Sequence, residues 1–203
     1  MNTKEQLKKI SESNGGIITN DIAKKNKISR TILALECNKG SILRITNGQY
    51  IMPDDLEDEL YSLSLRSSNI IFSHETALWL LGISNRTPSF HSVTSPTGRA
   101  PSESIRNSVK VYYVSKDKYE IGIDYIKTQF GNLVPCYNLE RTICDCFRSR
   151  NRIDNDTFLY AIKEYVKLSK KNLNNLYEYS KIFRVEKKVK EYLEVLLWLV
   201  QWV

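Results

Sequence analysis

The sequence has no long apolar segment, and it is short of residues on which several protein classes depend. No run of 18 or more apolar residues occurs among its 203 residues, so no membrane-spanning helix is expected. Residues 1–20 carry charges and no apolar core, so we expect no secretory signal and predict a cytoplasmic protein. Eight glycines and five prolines are too few for a collagen-like or linker-like chain. The hydrophobic fraction of 41% and the charged fraction of 26% indicate a globular protein rather than a disordered one.

Residues that support metal or cysteine chemistry are also scarce. The two histidines, His74 and His91, belong to no zinc-binding spacing. Cys144 and Cys146 are one residue too close for a redox pair, and on a helix they point about 200° apart. The four cysteines form no disulfide framework, so we expect reduced, buried thiols. No nucleophile elbow or phosphate-binding glycine loop occurs, and we therefore predict no enzyme activity, no cofactor and no metal.

Positive charge is concentrated near the beginning of the chain. Residues 1–53 hold nine basic and four acidic residues, a net charge of +5, whereas the remaining residues have a net charge of only +2. A compact basic segment on a nearly neutral body is typical of a module that binds a polyanion. The alternative at this point is a basic surface that serves solubility alone.

The start of the basic segment predicts a helix, a short strand and a second helix. Residues 4–14 have helical spacing of apolar side chains, and Asn14-Gly15-Gly16 ends that helix. Ile17-Ile18 is a short apolar run that predicts a strand. Thr19 or Asn20 provides a cap for the next helix, which extends to about residue 26.

A third helix and a hairpin follow. Ser29 caps a helix predicted over residues 30–39, and Gly40 ends it. Asn47-Gly48 between two apolar runs predicts a tight hairpin in which both central residues have positive φ. This order of elements is that of a winged helix-turn-helix, and we assign residues 1–54 to such a DNA-binding domain.

The winged-helix order places candidate DNA contacts on the third helix and on the hairpin. The N-terminal residues of a recognition helix meet base edges, and Arg30 there can bind guanine through two parallel hydrogen bonds. The preceding lysines would contact phosphates, and the hairpin would follow the backbone or enter a minor groove. The candidate DNA-binding residues are Lys24, Lys25, Lys27, Ser29, Arg30, Thr31, Leu35, Lys39, Arg44, Asn47 and Gln49. Solvated charges, or a module that docks proteins, are the alternatives.

The rest of the chain predicts a second, mixed domain. Residues 55–82 predict connecting helices, and residues 83–203 a C-terminal domain with a sheet of three to five strands and a helical end. The predicted strands are residues 90–94, 109–115, 119–125 and 133–137. The helical end is predicted from caps at Asn138, Asp156 and Asn172 and from a last helix that begins near Val185. The fold class is therefore α+β, with an apolar terminus, residues 196–203, that packs on the core or on a partner.

A second basic patch falls within this helical end. It comprises Arg148, Arg150, Arg152, Lys163, Lys167, Lys170 and Lys171. Contact with DNA beside the main site, RNA binding and simple solvation are all open for it.

Three stretches in order resemble the AbiEi family, the antitoxins of type IV toxin–antitoxin systems linked to abortive phage infection. The first runs from Gly16 through Ile28-Ser29-Arg30 to the hairpin that ends at Asp54. The second comprises Ser73-His74-Glu75-Thr76-Ala77-Leu78, Leu81-Gly82-Ile83-Ser84, Val93-Thr94 and Gly98-Arg99. The third is Asn138-Leu139-Glu140-Arg141-Thr142-Ile143 with Asp145.

The resemblance implies two functions. The winged helix would repress the protein's own operon by binding inverted repeats in the promoter. The sequence itself has no long heptad seam, so we expect a free monomer that pairs as two copies on DNA. The C-terminal domain would counter a cognate nucleotidyltransferase-like toxin without a stable complex. Positions that match the family in this domain are Ser73, His74, Glu75, Arg141 and Thr142, and caps and inter-helix hydrogen bonds explain them equally. Alternatives are an enzyme that modifies the toxin, or a ligand-sensing domain of a plain regulator.

Overall fold

The computed structural model describes residues 2–200, with side chains described as far as residue 194. The chain divides into two compact units. Unit 1 contains residues 1–66 and 127–133, and unit 2 contains residues 67–126 and 134–203. Both helices and strands contribute to each unit, as an α+β class requires.

Unit 1 begins with three helices and a small sheet. Its elements are α1 (Thr3–Ser13), β1 (Ile18–Thr19), α2 (Asn20–Lys25), α3 (Arg30–Asn38), β2 (Leu43–Thr46), β3 (Gln49–Ile51) and α4 (Glu59–Arg66). The three antiparallel strands have the order β1-β3-β2. Thr19 caps α2 and Ser29 caps α3, each by accepting a hydrogen bond from the backbone N–H three residues later. Leu7, Ala23 and Leu33, from the three helices, are fully buried in one core, so the predicted order of elements is the observed one.

The hairpin of unit 1 differs from its prediction in one detail. Thr46 pairs with Gln49, so Asn47 and Gly48 are the two central residues. Only Gly48 has a positive φ, and the strand register shifts between Arg44 and Thr46. The irregular register takes up part of the strand twist, so the turn needs glycine only at its second position.

The division into units also differs from the predicted domains. Helix α4 lies in unit 1, where Gln49 and Ser62 exchange two hydrogen bonds, whereas the segment after Arg66 belongs to unit 2. Residues 127–133 join unit 1 because Asp58 accepts hydrogen bonds from Thr128 and Asn132. Residues 55–66 thus belong to unit 1, and residues 67–82 belong to unit 2. The hydrogen bonds that attach Asp58 and Ser62 to the rest of unit 1 join residues that are 13 to 74 positions apart in the sequence.

Gly15 allows residues 127–133 to approach the end of α1. Its φ is +64°, and the side chain of Asn132 donates to its carbonyl oxygen at 3.0 Å. An added Cβ would lie 2.8 Å from the ring of Tyr61 and even closer to Asn132. Both the backbone conformation and the space therefore require glycine here.

Gly15→Ala is expected to lower the free energy of unfolding by about 2–3 kcal/mol, because a left-handed backbone and an overlap with Asn132 act together. Urea unfolding followed by circular dichroism measures the change. Gly16→Ala is the matched control, because Gly16 also has positive φ but its Cβ would meet no atom within 4 Å. Equal losses in the two variants would show that the space around Gly15 is unimportant.

Unit 2 is built on a five-stranded mixed sheet. Its strands are β4 (Ile71–Phe72), β5 (Ser92–Pro96), β6 (Lys110–Val114), β7 (Ile123–Lys127) and β8 (Leu133–Tyr137), in the order β6-β5-β4-β8-β7. Strand β4 pairs antiparallel with β5 and parallel with β8, and β5 pairs parallel with β6. A sheet within the predicted three to five strands is present, and it is mixed; its central strand precedes residue 83. The strand predicted over 119–125 begins later, because residues 116–119 form a short helix.

The helices of unit 2 pack around one core. They are α5 (His74–Leu80), α6 (Glu103–Arg106), α7 (Lys116–Tyr119), α8 (Leu139–Arg148), α9 (Asn155–Lys167), α10 (Leu173–Ile182) and α11 (Glu186–Val200). Asn138 and Asn172 cap α8 and α10 as predicted. The predicted cap at Asp156 is wrong: Asp154 caps α9 and accepts from the N–H of Thr157. Asp154 and Asp156 are both acidic residues near the start of α9, so the sequence offers either as its cap. The 3₁₀ turn over Arg150–Arg152 ends just before Asp154, the observed cap.

Three further predictions concern thiols, membranes and the chain terminus. All four cysteines are free, and Cys144 and Cys146 are buried as expected. Within residues 2–200 the structure contains no helix with the length and hydropathy needed to cross a bilayer. It likewise contains no group of three or more potential metal ligands among those residues. The apolar side chains of residues 196–203 lie outside the described part of the chain.

Candidate nucleic-acid interface and buried polar cluster

The segment from Lys24 to Thr31 presents an exposed stretch of positive charge that spans the end of α2 and the beginning of α3. Four cations occur in these eight residues, namely Lys24, Lys25, Lys27 and Arg30, and no acid does. All four side chains are exposed, and none forms an ion pair within the described structure. Unpaired cations are available to phosphates, because no carboxylate has to be displaced before they bind.

The backbone of this segment positions α3. Ser29 accepts a hydrogen bond from the N–H of Ile32 at 3.3 Å, so its side chain acts as the helix cap and retains one hydrogen to donate. Lys27 has φ of +62°, a left-handed conformation that lysine rarely adopts. The conformation lets the chain turn sharply between α2 and α3, with Ile28 buried beneath the turn.

The remaining DNA-binding candidates have varied surroundings. Leu35 is 52% exposed on α3, as required of a side chain that contacts a base. Lys39 forms an ion pair with Glu36 at 2.8 Å, so its charge is partly neutralised. Arg44 is exposed on the hairpin, where it donates to the side chain of Asn47 at 2.8 Å and stays within reach of solvent.

The prediction that Gln49 contacts DNA is wrong. Only 3% of this residue is exposed, and its side chain donates to the carbonyl oxygen of Ser62 and accepts from the hydroxyl of Ser62. These two bonds satisfy a buried amide and join the hairpin to α4. All three residues of β3 are buried, and no local signal reveals a partner of Gln49 thirteen residues away.

Unit 2 contains a buried chain of polar side chains centred on His74. Thr94 donates to the hydroxyl oxygen of Ser73 at 2.9 Å, and that oxygen lies 2.9 Å from Nδ1 of His74. Nε2 of His74 lies 3.0 Å from the hydroxyl oxygen of Ser149. The imidazole also stacks on Tyr112, with ring centroids 3.4 Å apart. The sequence pattern indicated Ser73 and His74 but missed Ser149, which is distant in sequence and belongs to no motif.

The direction of the hydrogen bonds in this chain follows from its acceptors. Ser73 already accepts from Thr94, and within the described residues its own hydrogen has Nδ1 of His74 as acceptor. A neutral imidazole then carries its hydrogen on Nε2 and donates it to Ser149. Burial lowers the pKa of His74 well below its usual value, and the nearby charges of Arg148, Arg141, Arg152 and Lys110 lower it further. The ring is therefore neutral at pH 7.

His74 is also held in a strained backbone conformation. Its φ is +49° at the first position of α5, which for a residue other than glycine costs about 1–3 kcal/mol. Strain of this kind persists only where surrounding contacts impose it. Here those contacts are the two hydroxyl groups and the ring of Tyr112 that hold the imidazole.

The other family-matching positions act mainly within the fold. Glu75 bonds to the hydroxyl of Ser92 and pairs with Lys110 at 3.2 Å, and its side chain is the only one of the five that reaches solvent. Arg141 is fully buried and pairs with Asp145 at 2.9 Å. Thr142 donates to the carbonyl oxygen of Tyr137. Direct contact of Ser73, His74, Arg141 or Thr142 with a toxin is incompatible with their burial in the folded chain.

The buried neutral His74 predicts a specific dependence of stability on pH. In the unfolded chain its pKa returns to about 6.5, so below that pH the unfolded state binds one proton more than the folded state. The unfolding free energy should therefore fall with decreasing pH, by up to about 1.4 kcal/mol per pH unit from this residue. Urea unfolding at pH 7.5 and pH 5.5 measures the loss.

The control for this prediction separates His74 from the other titrating groups. His74→Gln should show a smaller loss between the two pH values, whereas His91→Gln should retain the loss of the unmodified protein. Identical losses in all three proteins would contradict the assignment of the acid sensitivity to His74.

Comparison with known proteins gives a likeness of fold. No protein-family model matches the sequence, and neither does any curated protein sequence. The crystal structure of the RV2827C protein from Mycobacterium tuberculosis superposes with a TM-score of 0.64. The match covers 89% of this chain and 72% of that chain at 11% sequence identity. The chain is therefore similar in fold to a mycobacterial protein with which it shares little sequence identity.

Proposed function

We propose that this protein is a sequence-specific DNA-binding repressor of its own operon and the antitoxin of a type IV toxin–antitoxin system. The observation that carries the DNA-binding part is the unpaired, exposed cations of residues 24–31, which meet at the start of α3. In this proposal unit 1 is a winged helix, α3 is the recognition helix, and the hairpin of β2 and β3 is the wing.

The contacts divide by chemistry. Arg30 and Thr31 occupy the first turn of α3, where a recognition helix meets base edges, and Leu35 lies one turn further along. Lys24, Lys25 and Lys27 precede that turn and bind phosphates, as does Arg44 on the wing. Two copies of the chain occupy the two half-sites of an inverted repeat.

The experiment is a gel-shift titration on duplexes from the protein's own promoter and on scrambled duplexes of equal composition, at two salt concentrations. Selective shifts in two steps, weaker at the higher salt, support a repressor on paired half-sites. Equal affinity for both duplexes would reduce unit 1 to a non-specific basic surface.

The antitoxin part rests on the resemblance of residues 73–99 and 138–145 to the AbiEi family. We propose that unit 2 counters a nucleotidyltransferase-like toxin without catalysis of its own. The structure is compatible with this, because the buried imidazole of His74 is held between the hydroxyl groups of Ser73 and Ser149 and stacks on Tyr112 as a packed part of the fold.

Co-expression with the neighbouring toxin tests this part. Restored growth, together with an unchanged intact mass of the toxin, is the expected result. A covalent mass change on the toxin that appears only with this protein would favour the alternative, an enzyme that modifies the toxin. Failure to restore growth would favour a plain regulator with a ligand-sensing second unit.

A further inference from the structure

A small cleft in unit 2 is lined mainly by cationic side chains. Its volume is about 260 Å³, and its lining residues are Arg148, Ser149, Arg150, Asn151, Arg152 and Lys188. Four of these six residues are positively charged and none is acidic. The cleft lies at the end of α8, in the following 3₁₀ turn and beside the first turn of α11.

The positive charge of the cleft is not balanced by the protein. Arg148 pairs with Asp145 at 3.3 Å, but the same carboxylate also pairs with the buried Arg141. Arg150, Arg152 and Lys188 have no acidic partner within the described part of the chain. An anion that enters the cleft therefore replaces water rather than a protein carboxylate.

The arginines of the cleft are held in place by neutral groups. The guanidinium group of Arg152 lies 4.1 Å from the ring centroid of Tyr112 and donates to the carbonyl oxygen of Val111. The guanidinium group of Arg150 lies 4.4 Å from the ring centroid of Phe158. Such contacts fix the direction of a guanidinium group and leave its charge intact, which lowers the entropy lost on binding an anion.

Ser149 adds a directed hydrogen-bond donor to the cleft. Its hydroxyl oxygen lies 3.0 Å from Nε2 of His74. Ser149 is therefore the end of the hydrogen-bond chain that runs from Thr94 through Ser73 and His74. Because His74 donates to this oxygen, the hydroxyl hydrogen of Ser149 remains for an acceptor in the cleft. A fully buried histidine in a left-handed conformation thus orients a hydroxyl group among three arginines.

We propose that this cleft binds a terminal phosphate group through Arg148, Arg150, Arg152, Lys188 and the hydroxyl of Ser149. A phosphate dianion carries two charges and several acceptor oxygens, whereas a carboxylate carries one charge and two oxygens. The cleft offers three guanidinium groups, an ammonium group and a hydroxyl donor, and these match a phosphate dianion better than a carboxylate. The volume of the cleft fits such a group alone, so the rest of its carrier would extend into solvent.

The proposal is independent of DNA binding by unit 1, since every residue of the cleft belongs to unit 2. It assigns a role to Arg148, Arg150 and Arg152 that simple solvation does not give them. The lysines of α9 and of the segment that follows it do not line the cleft.

The first experiment titrates the full-length protein with inorganic phosphate by isothermal calorimetry, against chloride at equal ionic strength. Saturable binding of phosphate with one site per chain is expected. Lys188→Gln should weaken it about fivefold to tenfold by loss of one charge contact, and Ser149→Ala should weaken it by a similar factor. Lys187→Gln is the matched control, because Lys187 is the exposed neighbour in α11 and does not line the cleft.

Two outcomes would overturn the proposal: absence of any phosphate binding beyond that of chloride, or an equal loss of affinity in the Lys187 and Lys188 variants. Circular dichroism of each variant shows that it is folded. Lys188 is exposed and has no partner in the described structure, so its replacement leaves the core untouched.

A second titration identifies the carrier of the phosphate. A short DNA strand with a 5′-phosphate is compared with the same strand ending in a 5′-hydroxyl. Preference for the phosphorylated strand assigns the site to a nucleic-acid end, whereas binding of inorganic phosphate without that preference assigns it to a small phosphorylated molecule. Equal binding of both strands without any binding of inorganic phosphate would show backbone contact instead and contradict the proposal.

Discussion

Arg141→Met is expected to destabilise unit 2 by about 3–5 kcal/mol, because it leaves a buried carboxylate without its main partner. The guanidinium group of Arg141 is sandwiched between the rings of Tyr137 and Phe183, with ring centroids 4.0 and 3.9 Å away. Its Nε donates to Asp145 at 2.9 Å. Methionine fills much of the same volume but supplies neither the charge nor the donors.

The loss includes more than the ion pair. Arg141 also donates to the carbonyl oxygens of Lys118 and Ile121, at 2.9 and 2.6 Å. These bonds join α8 to the segment that precedes β7, and their removal leaves two acceptors unsatisfied in a buried region. A lysine at position 141 would restore the charge but could not reproduce the planar fork, so Arg141→Lys should rescue little.

Urea unfolding followed by far-ultraviolet circular dichroism measures the effect. Arg148→Gln is the matched control, because Arg148 contacts the other oxygen of Asp145 from a partly exposed position and should cost at most about 1 kcal/mol. A loss in the Arg141 variant no greater than in this control would show that Asp145 is adequately paired without Arg141.

Local signals explain most of the agreement between the predicted and observed elements. Thr19, Ser29, Asn138 and Asn172 each precede a helix and cap it by a bond to a backbone N–H three residues on. Such caps depend on a few consecutive residues, so the sequence reveals them. Strand β8 was predicted with its observed bounds because a run with apolar residues there ends directly at the helix cap of Asn138.

Features that depend on distant residues escaped prediction. The apolar run Ile70-Ile71-Phe72 is compatible with a strand or with the start of a helix, and β4 forms the centre of the sheet only because β5 and β8 pair with it. Residues 127–133 join unit 1 through Asn132, which bonds to Gly15 across 117 positions. Hydrogen bonds of this range leave no trace in composition or spacing.

The candidate sites follow the same division. The basic run of residues 24–31 is contiguous, so charge counting finds it directly. The chain of Thr94, Ser73, His74 and Ser149 brings together three segments of unit 2, and Ser149 belongs to no motif that stood out in the sequence. The cationic cleft is only partly visible in the sequence, since its arginines are neighbours in sequence but Lys188 comes from α11.

Replacement of Arg30 is expected to relax sequence preference, whereas replacement of Lys24 or Lys25 should weaken binding to every duplex alike. A bidentate contact from arginine to guanine contributes about 1–3 kcal/mol of discrimination, which corresponds to roughly fivefold to 150-fold in relative affinity. Arg30→Ala should therefore bring the affinities for promoter and scrambled DNA together by a factor in that range.

The lysine variants change a different quantity. Each phosphate contact contributes about 0.9 to the slope of log affinity against log salt concentration. Lys24→Gln and Lys25→Gln should each lower that slope by about one and leave the ratio of promoter to scrambled affinity unchanged. Lys8→Gln is the matched control, because Lys8 is an exposed lysine of α1 in the same unit, outside residues 24–31.

The two measured quantities separate the roles that the structure allows for α3. If Arg30 met only a phosphate, Arg30→Ala would change the salt slope like the lysine variants and preserve the preference for promoter DNA. If unit 1 were a protein-docking module, none of the three variants Arg30→Ala, Lys24→Gln and Lys25→Gln would alter the affinity by more than Lys8→Gln does. A recognition helix with its cap at Ser29 requires a specific pattern: preference for promoter DNA is lost only in the Arg30 variant, and the salt slope falls in the lysine variants. The reason is that side chains in the first turn of the helix reach base edges, whereas the preceding turn of the chain lies against the DNA backbone.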